Sequence, residues 1–387
     1  MTIETKRKLI RAIRMRYKKA TKKEKTKILD ELCATIKSSR KHTIKLLNRS
    51  SSQSNCQIGR RKLYGMKEAY HLMKVWKLTR GLCSKRLKEA LPLWLEYYEA
   101  PGFDDRCKAL LLQMSPSTID RLLIPYRKRF GLSATKSSAY LKQMIPIELL
   151  HSQVKSPGAL EADTVAHCGD SLAGKFINTL TITDLYSGWT SNRACWGKDA
   201  KEVLEQIKDI RKKLPFIVRS FACDNGTEFI NKQLQAYLQS SPKRPVHFVR
   251  RRPYKKNDAA HVEQKNDTHV RQLFGYERIE HIELQTLMNE IYEELWNPLN
   301  NYFYPTLKLV KKHRVGAKTK KIYDRPKTPY QRLLDSKSLS SLKEEQLRIN
   351  RKQCNPIEMA RKLEEKLAFF KKKLKRYGAF MEEPESA

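Results

Sequence analysis

Three acidic residues stand in settings that suit phosphodiester chemistry. Asp163 falls inside Leu160-Glu161-Ala162-Asp163-Thr164-Val165, a stretch that reads as a strand. Asp is disfavoured within strands, so its presence there calls for a reason. Asp224 ends the apolar run Phe216 to Cys223 and is followed by Asn225-Gly226, a pair that lets the chain reverse. A carboxylate at the C-terminal end of a strand faces the crevice where open sheets bind ligands. Glu263 lies in Ala260-His261-Val262-Glu263-Gln264-Lys265-Asn266, in the opening turns of a helix expected from about Asp258. The intervals are 61 and 39 positions. Converging carboxylates offer the hard oxygen ligands that Mg²⁺ requires. Two such ions about 4 Å apart activate an attacking oxygen and stabilise a leaving one. Without cations the cluster would be self-repelling and partly protonated.

The rest of the composition points the same way. The 387 residues include 79 Lys and Arg against 41 Asp and Glu, a formal net charge of +38. A surplus of that size draws polyanions to the surface, and nucleic acid gains most from it through counterion release. Hydrophobic residues at 40%, with 17 Tyr and 5 Trp, supply ordinary cores and argue against a disordered basic protein. No run of about 18 apolar residues is present, and Met1 to Lys25 lacks the apolar segment of a secretory signal, so a cytoplasmic, nucleoid-associated protein is expected. The eight cysteines are dispersed without a Cys-x-x-Cys pair and read as reduced thiols, not a zinc site.

The elements that must position the acids fall into four stretches. Residues 1–50 read as a helix-turn-helix: a capping box at Thr21 and Glu24 opens one helix, and a turn at Lys37-Ser38-Ser39 leads to a basic second helix with Arg40, Lys41 and Lys45. Residues 60–135 repeat the helix, turn and basic helix pattern and form a further helical DNA-binding region. In residues 155–300 strands are expected at 160–165, 176–183, 189–196, 216–223 and 246–249, with helices at 199–214, at 229–238 and from about 258. That succession is the order of an RNase H-like mixed sheet. Residues 301–387 form a basic extension, with Lys311, Lys312, Arg314, Lys318, Lys320 and Lys321 close together and a terminal helix from Pro356 to Tyr377. The fold class is therefore mixed α/β, an RNase H-like core behind an all-helical N-terminal region.

Glu161-Ala162-Asp163-Thr164, Cys223-Asp224-Asn225-Gly226-Thr227-Glu228-Phe229 and His261-Val262-Glu263-Gln264-Lys265-Asn266 resemble the three signature blocks of retroviral-integrase-like DDE transposases, the recombinases of bacterial insertion sequences. The resemblance covers roughly Leu160 to Asn300. It implies two Mg²⁺ or Mn²⁺ ions held by Asp163, Asp224 and Glu263, nicking of DNA, attack of a 3′-hydroxyl on a target, and a homo-multimer that pairs two ends of double-stranded DNA. Where many relatives carry Lys or Arg seven residues after the Glu, this sequence has Val270, so Lys265 or Arg271 is expected to take that role. The segment Arg250-Arg251-Arg252-Pro253-Tyr254-Lys255-Lys256 borders the expected cleft and offers cations for phosphates and an aromatic ring for a base. Asp184 and Asp170 read as turn residues, Glu228 as helix-dipole chemistry, and His167 and His261 as solvated or supporting groups. A DNA-binding regulator without catalysis, or an RNase H-like nuclease without strand transfer, are the competing readings.

Overall fold

The computed structural model describes residues 2–48, 63–129, 154–223, 229, 232–240, 245–250, 265–315 and 318–380. The chain divides into two compact units, Met1–Leu63 and Tyr64–Ala387.

The first unit is three helices: α1 (Ile3–Lys19), α2 (Lys22–Ile36) and α3 (Arg40–Asn48). Thr21 and Glu24 make the expected capping box, and Lys37 in the left-handed region turns the chain toward α3. Helix α1 is additional to the two expected helices. Its Ile10 and Tyr17 complete a core with Ile28, Leu29, Leu32, Ile36 and Leu47. Two of its cations close the ends of the other helices: Lys6 donates to the Ile36 carbonyl at 2.9 Å and Arg14 to that of Leu46 at 2.9 Å, meeting the last-turn acceptors a helix leaves open.

The second unit begins with four helices, α4 (Met66–Leu78), α5 (Ser84–Leu95), α6 (Asp105–Gln113) and α7 (Pro116–Arg129). They are not a separate domain. Their Leu72, Trp76, Leu91 and Trp94 share one continuous core with the sheet region. Trp94 stacks on Tyr304 at 5.8 Å, and Arg86 donates to the Pro305 carbonyl at 2.6 Å.

Five strands come next, in the order β3-β2-β1-β4-β5. They are β1 (Ala159–Ala166), β2 (Ile177–Asp184), β3 (Thr190–Trp196), β4 (Ser220–Cys223) and β5 (His247–Arg250), with α8 (Ala200–Lys213) and α9 (Lys232–Gln239) between the later ones. Strands β1 to β3 are antiparallel neighbours, while β4 joins β1 and β5 joins β4 in parallel. This mixed five-stranded sheet is consistent with an RNase H-like core. The strand expected over 216–223 is shorter, because Ile217 and Arg219 approach the backbone at Gly158 instead. Arg219 and Ser220 both donate to the Gly158 carbonyl. A Cβ at Gly158, whose φ is +114°, would lie 2.3 Å from the Ile217 carbonyl, so glycine is required there.

Beyond the sheet come a π-helical segment, π1 (Asn266–Arg271), a short helix α10 (Gln272–Phe274), and then α11 (Ile282–Glu290), π2 (Ile291–Trp296) and π3 (Leu299–Phe303). The basic stretch after 308, for which no secondary structure is expected from the sequence, is a two-stranded hairpin, β6 (Leu309–Val315) and β7 (Lys318–Tyr323). Helices α12 (Pro329–Asp335), α13 (Ser341–Lys352) and α14 (Pro356–Phe380) close the unit. No described helix is long and apolar enough to cross a membrane.

Candidate active site

The two faces of the sheet differ in chemistry, and the alternation of side chains along β2 is the cause. Leu180 and Ile182, with Leu160, Ala162 and Phe221, form an apolar face against Val203, Leu204, Ile207 and Ile210 of α8. The opposite face carries Thr179, Thr181 and Thr183, paired across the strands with Val165, Asp163 and Glu161 on one side and with Ala194, Asn192 and Thr190 on the other. The three threonines are buried. Buried hydroxyls demand partners, and these are present. Thr183 and Thr190 hydroxyls lie 3.1 Å apart, the Asn192 amide donates to Thr181 at 2.9 Å, and Thr179 meets both His167 Nε2 at 2.9 Å and the Tyr292 hydroxyl at 3.1 Å.

Asp163 sits on this polar face, half-buried, opposite Thr181. Asn266 at the start of π1 donates its amide to Asp163 Oδ2 at 2.7 Å, which fixes the carboxylate without neutralising it. One helical turn on, His269 is buried between Lys265 and Asn192: its Nε2 accepts from Lys265 Nζ at 3.3 Å and its Nδ1 lies 3.3 Å from Asn192 Oδ1. Burial, aided by the charges of Lys265 and Arg86, holds His269 well below its usual pKa and so neutral. Burial also pulls the Lys265 ammonium down to about 7, with Arg86 and Lys308 adding repulsion. A continuous polar path thus runs from Lys265 through His269 and Asn192 to Thr181, directly across from Asp163.

Of the three expected carboxylates, Asp163 alone lies among the described residues, and Asp224 and Glu263 lie outside them. Among the described residues no group of three or more His, Cys, Asp or Glu side chains is arranged to hold a metal. The donor that is described, an aspartate carboxylate rather than an imidazole or a thiolate, has the hardness Mg²⁺ prefers.

Asp184 is a buried turn carboxylate. It accepts from the Gly158 N–H at 2.8 Å and from the Ser187 N–H and hydroxyl at 2.7 and 2.6 Å, while burial raises its pKa. It therefore latches the start of β1 to the β2–β3 turn, in keeping with its expected turn role. His167 is not solvated. It is fully buried, and burial drives its pKa down to about 3.

The expected DNA contacts are distributed unevenly. Arg40, Lys41 and Lys45 are exposed on α3, with Arg40 paired to Asp30 of α2. Arg250 is the last residue of β5, and Arg251, Arg252, Tyr254, Lys255, Lys256 and His261 lie outside the described residues. Arg271 donates to the Ala166 carbonyl at 2.9 Å and covers the Tyr276 ring at 4.9 Å, so it braces the end of β1. Val270 is buried.

A feature that sequence reading missed seals the sheet. Strand β3 is an edge, and edge strands expose unpaired N–H and C=O groups. Asn289, Asn297 and Asn301 each accept from the N–H and donate to the C=O of one β3 residue, respectively Ala194, Asn192 and Thr190, at 2.8–3.2 Å. Between them Glu293 pairs with Arg193 at 2.7 Å, and one turn earlier Gln285 donates to the Ala194 carbonyl at 3.1 Å. The polar residues recur every four positions. Twelve residues of α-helix would advance about 18 Å, whereas the four strand steps from Thr190 to Ala194 span about 13 Å. The i→i+5 turns of π2 and π3 widen the helix and shorten its advance, bringing the two repeats into step.

Comparison with known proteins adds a relative and a weak structural likeness. The chain is 32% identical over 344 residues to the uncharacterized protein y4rM of Sinorhizobium fredii, across 86% of this chain and 96% of that one. The chain belongs to the same family as y4rM. No family model matches it. The catalytic core domain of BIV integrase aligns with 46% of the chain and 95% of its own length, at 15% identity and a TM-score of 0.29.

Proposed function

We propose that this chain is a metal-dependent DNA strand-transfer enzyme of the DDE type, a transposase or integrase acting on double-stranded DNA. The observation that carries the reading is a register. Strands β1 and β4 run parallel with partners 61 positions apart, Ala159 with Ser220, Leu160 with Phe221 and Glu161 with Ala222. The same interval separates Asp163 from Asp224 in the sequence. Asn266, three positions beyond Glu263, hydrogen-bonds Asp163, which ties the third signature block to the first. The charge of +38 supplies the attraction for DNA.

In this reading Asp163, Asp224 and Glu263 hold two Mg²⁺ or Mn²⁺ ions, which supply activation of the attacking oxygen and stabilisation of the leaving one. Asn266 keeps the Asp163 carboxylate turned toward the cleft. The buried polar face of β1, β2 and β3 keeps that strand from shifting. Basic segments on α3 and around 250–256 bind phosphates, and copies of the chain join to bring two DNA ends together.

The test is a strand-transfer assay with a pre-nicked duplex and Mg²⁺. Asp224→Asn is expected to abolish transfer while leaving duplex binding intact. Full transfer by that variant sinks the assignment. Hydrolysis without joining by the wild type points to a nuclease, and binding without either reaction to a regulator.

A further inference from the structure

The hairpin β6–β7 is separate from the five-stranded sheet. An isolated two-stranded hairpin is marginally stable in water, so this one needs support. At its base Asp324 receives the Lys308 N–H at 2.7 Å and Arg332 at 2.6 Å, Arg332 also donates to the Thr306 carbonyl at 2.8 Å, and Thr306 bridges to Lys327. From Leu309 to Tyr323 the sequence contains Lys311, Lys312, Arg314, Lys318, Lys320 and Lys321 and no acid.

The register makes this arrangement costly. Lys312 is paired with Lys321, and like charges directly opposite one another destabilise a ladder. Alternation puts positions 311, 313, 318 and 320 on one face of the ribbon and 312, 314, 319 and 321 on the other, so basic positions occupy both faces. A hairpin that only packed on its own domain would have one apolar face. At the base of the ribbon, Val310 and Ile322 are 67% and 41% exposed.

We propose that β6–β7 is a DNA-binding ribbon that enters the major groove of B-form duplex DNA and meets a row of phosphates on each side. A two-stranded ribbon fits the roughly 12 Å wide major groove, and cations on both faces suit a site walled by phosphates on both. The deep, narrow major groove of A-form RNA does not admit such an element. This ribbon shares with the proposed strand transfer only its partner, DNA, and it makes its own prediction.

The test uses the full chain with Lys311→Gln, Lys312→Gln, Arg314→Gln and Lys320→Gln combined, and measures binding to a duplex against salt. For each phosphate that is no longer neutralised, the slope of log affinity against log salt falls by about 0.9. The combined variant is therefore expected to reduce the slope by about 2–4 and the affinity at least tenfold at physiological salt. Binding to double-stranded RNA is expected to change far less. A control exchanging Lys for Arg and Arg for Lys at the four positions keeps charge and is expected to keep the wild-type slope. Removing cross-strand repulsion is expected to leave the melting temperature of the Gln variant unchanged or raised, which separates weaker DNA binding from a failure to fold.

An unchanged slope on duplex DNA overturns the ribbon. Equal weakening on duplex RNA overturns the groove geometry, and a reduced slope in the charge-keeping control overturns the phosphate reading. Transfer by Asp224→Asn would leave the ribbon standing, whereas a wild type without salt-dependent duplex binding removes both proposals.

Discussion

Replacing Asn301 by Leu tests the sealed edge most directly. Asn301 is 2% exposed and Thr190, which it serves, 1%, so water has no access to the groups left behind. The substitution removes the acceptor for the Thr190 N–H at 2.9 Å and the donor to its carbonyl at 2.8 Å. Each buried backbone group left without a partner costs about 1–3 kcal/mol. With two such groups the expected loss is about 2–6 kcal/mol, little of it regained from the new side chain, because Leu lands against polar backbone. In thermal unfolding this corresponds to a fall on the order of 5–10 °C. Hydrogen exchange gives the local readout: the Thr190 amide, protected in the wild type, should exchange much faster while β1 amides stay protected. A variant within about 0.5 kcal/mol of wild type, with the Thr190 amide still protected, would refute the idea that carboxamides close this edge.

Other outcomes rest on the same geometry. Asn266→Ala should lower strand transfer about 10–100-fold, the range for groups that orient a metal ligand, with a parallel rise in the Mg²⁺ needed for half-maximal rate; an unaltered Mg²⁺ requirement would mean that Asn266 does not position Asp163. Asp184→Asn should destabilise the fold yet keep transfer per folded molecule, whereas Asp163→Asn should abolish it; equal loss in both would place Asp184 in the chemistry. His167 has its pKa lowered from 6.5 to about 3, so its contribution is fully present above 6.5 and is lost as pH falls toward 3, because the unfolded chain takes up a proton the folded one refuses. Between pH 6.5 and 5 the loss is about 2 kcal/mol. Unfolding free energies of His167→Phe from urea titration should show a pH dependence smaller by that amount, and an unchanged dependence counts against a neutral buried histidine.

How far the sequence reaches depends on which physics dominates locally. Strands β1 to β3 and helix α8 are legible because alternation and helical spacing are strong where one face is apolar, as Leu180 and Ile182 show beside Thr179 and Thr181. The placing of Asp163 on a strand comes from the same pattern. Helix α1 is hard to see because its stripe is thin, essentially Ile10, Ile13 and Tyr17 among many cations. The hairpin is hidden because charged residues have low strand propensity and no Asn-Gly or Asp-Gly turn announces it. The four-residue repeat of Gln285, Asn289, Glu293, Asn297 and Asn301 would scatter around an ordinary helix, so it carries meaning only once the π turns set the pitch. The hydrogen bond from Asn266 to Asp163 joins residues over 100 positions apart, and spacing alone does not reveal such partners.

The shared core between the α4–α7 block and the sheet region bears on how this protein can be divided. Trp94 stacks on Tyr304, donates to the Phe303 carbonyl at 3.3 Å, and stands beside Tyr97, whose ring meets Phe303 edge-on. A fragment starting at residue 154 would bare this aromatic wall to water, an invitation to aggregate. The smallest piece that keeps this core whole therefore starts near Tyr64, and the boundary worth cutting is the one after the first three helices.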